Sequence, residues 1–433
     1  MFNPSAARAR LIFRMRILHT SDWHLGQHFM GRNRQREHAL LLEWMVGQVQ
    51  QHAVDAVIIA GDVFDTASPP SYARELYHQL IARMHACGTS LLILGGNHDA
   101  VSVLGESIPL LHYLSTRVIA STHTENADQH VVVLPLKKDE HNGAMPGCIV
   151  CALPFIRARD VLHSLPDQSA QDKQLSLLAA IRTTYAQVYA AALQQQAALQ
   201  TTHGVHVPII ATGHLTTVGT SRSESVREIY VGALEAFPTD AFPPVDYIAL
   251  GHIHQPQKVG GLEHIRYSGS PIALSFDEAH QHKQMLLVDI GSDGLQKVTP
   301  LPIPVFQPIH SLQSDLKGLP AALETAAANG TADCPVWVEV TVVHDDYLND
   351  LSARVQAITQ DLPVQVLRIR RQRGDTKAAF SSASGESLQE LSPDEVFARR
   401  LQQEQLDAPV HLALQQRHAQ VLAALQNGEE TQA

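Results

Sequence analysis

Five short apolar runs in this chain stop abruptly at a carboxylate, an amide or an imidazole, and this recurrence constrains the fold more than any other feature. "RILHTSDWH" delivers Asp22 and His24, "IIAGDVFD" delivers Asp62 and Asp65, and "LGGNHD" delivers Asn97, His98 and Asp99. "IIATGH" ends on His214, and "IALGHIH" on His252 and His254. Short aliphatic runs without polar alternation read as strands buried on both faces. Helical patterns lie between the first of them. Ala39, Leu42, Val46 and Val49 recur at spacings of 3, 4 and 3, and a second helix is expected from about Ser71 to His85. Strands spaced by helices pair in parallel, and an open α/β sheet binds ligands at the carboxyl ends of its strands. One strand end such as "LHTSDWHLG" reads equally well as an ordinary turn. Five of them delivering the same chemistry to one edge read as a metal or catalytic site.

The remaining pattern completes a layered α/β domain over residues 15–305. "HVVVLPL" and "CIVCALPF" flank a loop containing Asn142-Gly143, a hairpin signal. A long Ala/Gln-rich helix covers about 170–200, and "KQMLLVDI" reads as a strand near the end of the domain. Residues 1–14 are expected to be a disordered extension, since "MRILHTSD" already opens the first strand. After the Pro-rich join "TPLPIPVFQP", residues 306–375 read as a small α+β module of two helices and two strands, followed by a flexible linker over 376–391. Helices restart within 392–428, where Ser392-Pro393-Asp394-Glu395 combines a capping Ser, a first-turn Pro and a reciprocal Glu. These helices either dock on a partner or pack back on their own domain.

Composition excludes several classes. The net charge of −11 argues against a naked electrostatic nucleic-acid binder, while leaving room for a local basic groove. Four cysteines in 433 residues are too few for a disulfide framework, which fits a reducing, cytoplasmic setting. Cys148 and Cys151 form a C-x-x-C, but residues three apart on a strand point to opposite faces, so they read as small buried hydrophobes. No apolar run reaches the roughly 18 residues that a membrane helix needs, so no membrane association is expected.

The candidate ligands are Asp22, His24, Asp62, Asn97, His214, His252 and His254, with His98 and Asp65 beside them. Members of the pairs Asp22/His24 and His252/His254 are two apart and face the same way in an extended chain, which turns Trp23 toward the opposite side. Gly61, Gly95, Gly96, Gly213 and Gly251 precede the polar residues and allow tight turns. An oxygen and nitrogen donor set without thiolate favours Mn²⁺, Fe²⁺, Zn²⁺ or Mg²⁺, and the imidazoles argue against Mg²⁺ alone. Seven donors suit two ions about 3.5–4 Å apart better than one.

The ordered series D-x-H, G-D-x-x-D, G-N-H-D, G-H, G-H-x-H resembles the calcineurin-like metallophosphoesterases. "MRILHTSDWHLGQ", "GDVFDTASPPSYARELY", "GHIHQPQ" and "RYSGSPIALSFDE" resemble, within them, the SbcD family of nuclease subunits. That resemblance implies a metallophosphoesterase sandwich with a capping domain and C-terminal helices. It implies that Asp22, His24, Asp62 and His254 hold one metal and Asp62, Asn97, His214 and His252 the other, with Asp62 bridging. His98 would stabilise the transition state or protonate the leaving oxygen, and Asp65 would orient His98. The implied activity is a Mn²⁺-dependent double-strand 3′–5′ exonuclease and single-strand endonuclease. It processes DNA ends and hairpins in repair, recombination and replication, as a homodimer bound through its C-terminal helices to the ATPase SbcC. The same core also suits a phosphatase acting on phosphoproteins or small cyclic nucleotides. Arg368, Arg370, Arg371 and Arg373 could contact DNA phosphates, or could equally be a solvated edge strand. The chain has no G-x-x-x-x-G-K-[ST] loop, so coupled ATP hydrolysis must come from a partner.

Overall fold

The computed structural model describes residues 13–137, 145–162, 169–227, 229, 236–343 and 351–372, and beyond them 401, 410, 413, 414, 417 and 418. Contacts divide the chain into a unit ending at Gln372 and a second beginning at Arg373. The Asn142-Gly143 turn, Arg373, the 376–391 linker and all but those last six positions of the 392–428 helices lie outside the described residues. The six positions are each helical.

The first unit is built on two six-stranded sheets. One runs from edge to edge as β14 (Gly294–Pro302), β13 (Gln284–Gly291), β1 (Arg14–Thr20), β4 (Ala56–Ile59), β5 (Ser90–Leu94) and β6 (Thr116–Ile119). β1, β4, β5 and β6 pair in parallel, and β13 is antiparallel to both β1 and β14. The other runs β11 (Gln257–Lys258), β12 (Ile265–Tyr267), β10 (Tyr247–Gly251), β9 (Ile209–His214), β8 (Pro146–Cys151) and β7 (Val131–Pro135). Its four central strands are parallel and its two edges antiparallel. A small hairpin, β2 (His28–Phe29) and β3 (Arg32–Asn33), follows β1. Helices α1 (Gln35–Gln51) and α2 (Ser71–Ala86) follow, then the short α3 (Val101–Gly105), α4 (Ile108–Leu111) and α5 (Ala158–Val161), and the long α6 (Ala170–His203).

Strand alternation sorts the apolar side chains into three layers. Leu18, Val57, Ile59, Leu91 and Ile93 pack outward against Leu41, Leu42, Val46 and Val49 of α1 and Tyr77 and Leu80 of α2. Ile17, Ile58, Leu92 and Leu94 face inward and meet Val150, Ile210 and Ala249 of the second sheet. Ile149, Ala211 and Ile248 face outward against Leu177, Ile181 and Tyr185 of α6. Each such aliphatic side chain taken out of water contributes about 1.5–3 kcal/mol, so the strands need no polar face at all. Cys148 lies in the layer between the sheets and Cys151 in the layer under α6, on opposite faces of β8.

His19 is a polar side chain buried between the sheets. Its Nδ1 lies 2.9 Å from the Tyr247 hydroxyl and its Nε2 3.1 Å from the Leu250 carbonyl, linking β1 to β10. Burial pushes this imidazole down to about 3.

Two details differ from the sequence expectation. β1 begins at Arg14 rather than Met15, because Arg14 pairs with Gly291 and bridges Asp289 at 2.8 Å. The capping module holds a third strand, β15 (Ile309–Ser314), beside β16 (Val336–Val342) and β17 (Val364–Arg371). All three are parallel, connected through α7 (Leu319–Ala327) and α8 (Leu351–Thr359), so the module is a βαβαβ unit rather than a segregated α+β one. No helix among the described residues is long and apolar enough to cross a membrane.

Candidate metal centre

The carboxyl ends of β1, β4 and β5 in one sheet and of β9 and β10 in the other meet at one edge of the sandwich. Three overlapping groups form there, in each of which the donor atoms lie within 4.8 Å of one another: Asp22, His24 and His254; His24, Asp62 and His98; Asp62, His214 and His252. Asn97 joins the last group, with Oδ1 at 2.9 Å from His214 Nε2 and 3.1 Å from His252 Nδ1. Asp62 belongs to two groups, and its Oδ2 lies 3.2 Å from His214 Nε2 and 3.7 Å from His24 Nε2.

The backbone that presents these side chains is not extended. Asp22, His24, Asp62 and His252 sit at φ of 55°, 48°, 51° and 95°, a region that non-glycine residues rarely occupy. The expectation that strand alternation aims Asp22 with His24, and His252 with His254, is therefore corrected: β1 ends at Thr20 and β10 at Gly251, and left-handed turns do the aiming. His252 and His254 accordingly fall in different groups. The turns are pinned by main-chain bonds from Asp22 N to Gly61 O, Trp23 N and His24 N to Asp62 O, and Leu25 N to Val63 O. Such strain persists where the surroundings over-determine it, and it clusters at functional sites. Trp23 does turn away from the centre, into the core beneath α1 and α2, and its Nε1 donates to Thr20 Oγ1 at 2.9 Å. Glycine is required at two close approaches. A Cβ on Gly61 would lie 2.2 Å from His214 Nδ1, and one on Gly96 would lie 2.1 Å from Asp62 Oδ1 and 2.3 Å from Asp62 N.

Several of the rings are fixed by a bond on the far side. His214 Nδ1 donates to Ala60 O at 2.9 Å, and His24 Nδ1 lies 3.1 Å from Asp65 Oδ1. His98 Nδ1 meets the main-chain carbonyl of Asp65 at 2.7 Å, so the Asp65 carboxylate orients His24 rather than His98. Asp22 accepts His252 N at 2.9 Å and Ser21 Oγ at 2.6 Å, while His98 N donates to Asp62 Oδ1 at 2.9 Å. Asp99 brackets the β4 and β5 ends by accepting from Val63 N, Phe64 N and Gly96 N, and burial followed by the Asp62 charge pushes it up to about 6.

The electrostatics favour a cation. Burial pushes Asp62 up, but the imidazoles of His214, His24 and His98 outweigh it and hold the carboxyl well below its usual range. Burial, reinforced by His214, keeps His252 well below the ordinary imidazole value, and burial lowers His98 as well. His24 Nε2 and His252 Nε2 are buried with no hydrogen-bond partner, a cost that a coordinated cation removes. With two carboxylates, an amide oxygen and four imidazoles, the residues present fit divalent first-row ions.

Sequence reasoning missed Glu278, which is fully buried against His254; it lies on a short turn that ends no apolar strand. Of the basic candidates, Arg368 and Arg370 share a face of β17 and both pair with the buried Glu339. Arg368 also lies over the Phe276 ring, which commits its guanidinium inward.

Family models place residues 15–256 with the calcineurin-like phosphoesterases and residues 305–405 with the "Type 5 capsule protein repressor C-terminal domain". The chain is 46% identical over 401 residues to the D subunit of the nuclease SbcCD from Escherichia coli strain K12, covering 93% of this chain and 96% of that protein. The protein of the same name from Rhodobacter capsulatus is 31% identical over 89% of this chain and 94% of its own length. That from Bacillus subtilis is 33% identical over 64% of this chain and 66% of its own.

Proposed function

The chain belongs to the calcineurin-like phosphoesterases and, within them, to the SbcD family, and from that premise we propose that it is the nuclease subunit of an SbcCD-type complex, hydrolysing phosphodiester bonds in DNA. The observation that carries this reading is the convergence of seven oxygen and nitrogen donors on one edge, with two buried imidazole nitrogens unpartnered. Asp22, His24, Asp62 and His254 would hold one divalent ion, and Asp62, Asn97, His214 and His252 the other; Mn²⁺, the ion the SbcD resemblance implies, is one of those such a donor set accepts. When bound, two such ions would supply Lewis acidity at the phosphoryl oxygens and lower the pKa of a water.

The remaining work falls to the chain itself. With Nδ1 held on the Asp65 carbonyl, His98 has only Nε2 to offer, and in its protonated form that nitrogen stabilises the developing charge or protonates the leaving oxygen. Asp65 keeps His24 in place. Arg370 and Arg371, exposed at the end of β17, are better placed than the half-buried Arg368 to meet DNA phosphates, although Arg370 shares Glu339 with it; Arg368 is covered by Phe276 as well. Residues 392–428 would be the segment that binds the ATPase SbcC. A homodimer is part of this reading through the SbcD resemblance. Four free thiols fit a cytoplasmic location.

The test is cleavage of end-labelled duplex and hairpin DNA across a Mn²⁺ titration, with and without SbcC and ATP. Manganese-dependent cleavage of both substrates is expected. Turnover of an aryl phosphomonoester with DNA left intact would contradict the reading.

A further inference from the structure

Glu278 ends the short turn Phe276–Glu278, and its side chain is inaccessible to solvent. Oε1 lies 3.1 Å from His254 Nδ1, accepts from Ser223 Oγ at 2.8 Å, and is bonded by Ser225 Oγ, which itself lies 2.6 Å from His254 Nδ1, so the carboxylate acts on that nitrogen both directly and through Ser225. Oε2 accepts from Lys283 Nζ at 2.6 Å, Leu274 N at 3.0 Å and Ser270 Oγ at 3.2 Å. Both oxygens are saturated, so the carboxylate cannot rotate without breaking several bonds. An imidazole whose Nδ1–H donates to a carboxylate offers its Nε2 lone pair outward, which is the tautomer a cation needs.

The same turn reaches the capping module. The Phe276 ring meets Phe29 edge-on with centroids 5.0 Å apart, and Phe29 stacks on Trp337 of β16 at 5.6 Å. Arg368 of β17 lies 5.2 Å above the Phe276 ring, and Phe276, Phe29, Trp337 and Ile309 form one buried cluster. Behind the turn lies a cavity of about 400 Å³, lined by Glu278 and Lys283 on one side and by Ile309, His310 and Asn329 of the capping module on the other. A shift of that module therefore has space to draw the turn with it.

We propose that Glu278 is a positioning residue that fixes the tautomer and direction of His254, and that the Phe276–Glu278 turn carries the position of the capping module to the metal centre. The proposal rests on the reading of His254 as a metal ligand.

Manganese binding to the full chain, followed by the EPR signal of free Mn²⁺, tests it alongside circular-dichroism melting. His254→Ala should remove one of the sites. Glu278→Gln should weaken that same site about 10–100-fold and leave the other unchanged, the usual cost of losing a carboxylate behind a ligand histidine. Because Glu278→Gln strands the Lys283 ammonium, Glu278→Gln/Lys283→Met is measured in parallel; it keeps the buried pair neutral and should fold and show the same weakened site. Trp337→Ala, which loosens the capping contact alone, should weaken that site by a smaller factor. A folded double variant with both affinities intact would overturn the positioning role, and an unchanged Trp337→Ala would overturn the link to the capping module. If His254→Ala kept both sites, the ligand reading itself would fall instead.

Discussion

Single residues set the chemistry, and each can be tested by what surrounds it. His19 is held neutral between the sheets, its imidazole pushed by burial from an ordinary 6.5 to about 3. The unfolded chain therefore binds a proton here between those values that the folded chain refuses. The stabilising contribution is fully present above pH 6.5 and is lost as pH falls toward 3. Urea unfolding should show about 2 kcal/mol of His19-dependent stability lost between pH 7 and pH 5, and His19→Gln should flatten that part of the curve. An equal slope in both proteins would show that His19 protonates without cost. At this scale the donor set was legible in the sequence because each donor follows an apolar run. Glu278 was not, since it lies on a turn between Leu274 and Lys283 with no periodic pattern to mark it. Asp65 was legible as a residue of the centre, while its partner was not: its carboxylate and its carbonyl reach two different histidines.

The elements present these residues through strained ends. Four left-handed residues and two glycines with no space for a Cβ make the strand tips rigid, so the donors are aimed before any ligand arrives. Gly96→Ala is the sharpest test. Its Cβ would collide with both the side chain and the main-chain nitrogen of Asp62, so manganese binding and DNA cleavage should both be lost and the melting temperature should fall with them. Undiminished metal binding in Gly96→Ala would show that the Asp62 turn is not held as described. Spacing alone suggested extended pairs here, because a sequence shows residue intervals but not the sign of φ. β15 escaped notice for a related reason: in "IHSLQS" the two apolar residues, Ile309 and Leu312, are three apart and point to opposite faces, so no alternation marks the strand that pairs with β16. The two cysteines of β8 were read correctly from strand alternation alone, since both fall within one regular strand.

The whole molecule joins two sheets whose edges are interleaved along the chain. β1, β4, β5 and β6 are laid down first, the second sheet is built next, and the chain then returns with β13 and β14 to the first. Periodicity showed that strands and helices alternate, but the return of β13 to β1 depends on long-range pairing that no local pattern encodes. Because the centre draws from both sheets, the sandwich must be assembled before the donors meet. Deleting residues 385–433 should leave the melting transition of the first unit in place and abolish association with SbcC; co-purification of the truncated chain with SbcC would count against the role proposed for that segment. Whether this edge holds metal for phosphodiester hydrolysis, with His98 acting beside it, is tested most directly on two variants. Manganese content and cleavage of end-labelled duplex DNA are measured on the same preparations of the unaltered chain, His98→Ala and Asp62→Ala. His98→Ala should keep the metal and lose about 10²–10⁴-fold in cleavage, whereas Asp62→Ala should lose both. Equal cleavage by all three proteins would contradict the assignment.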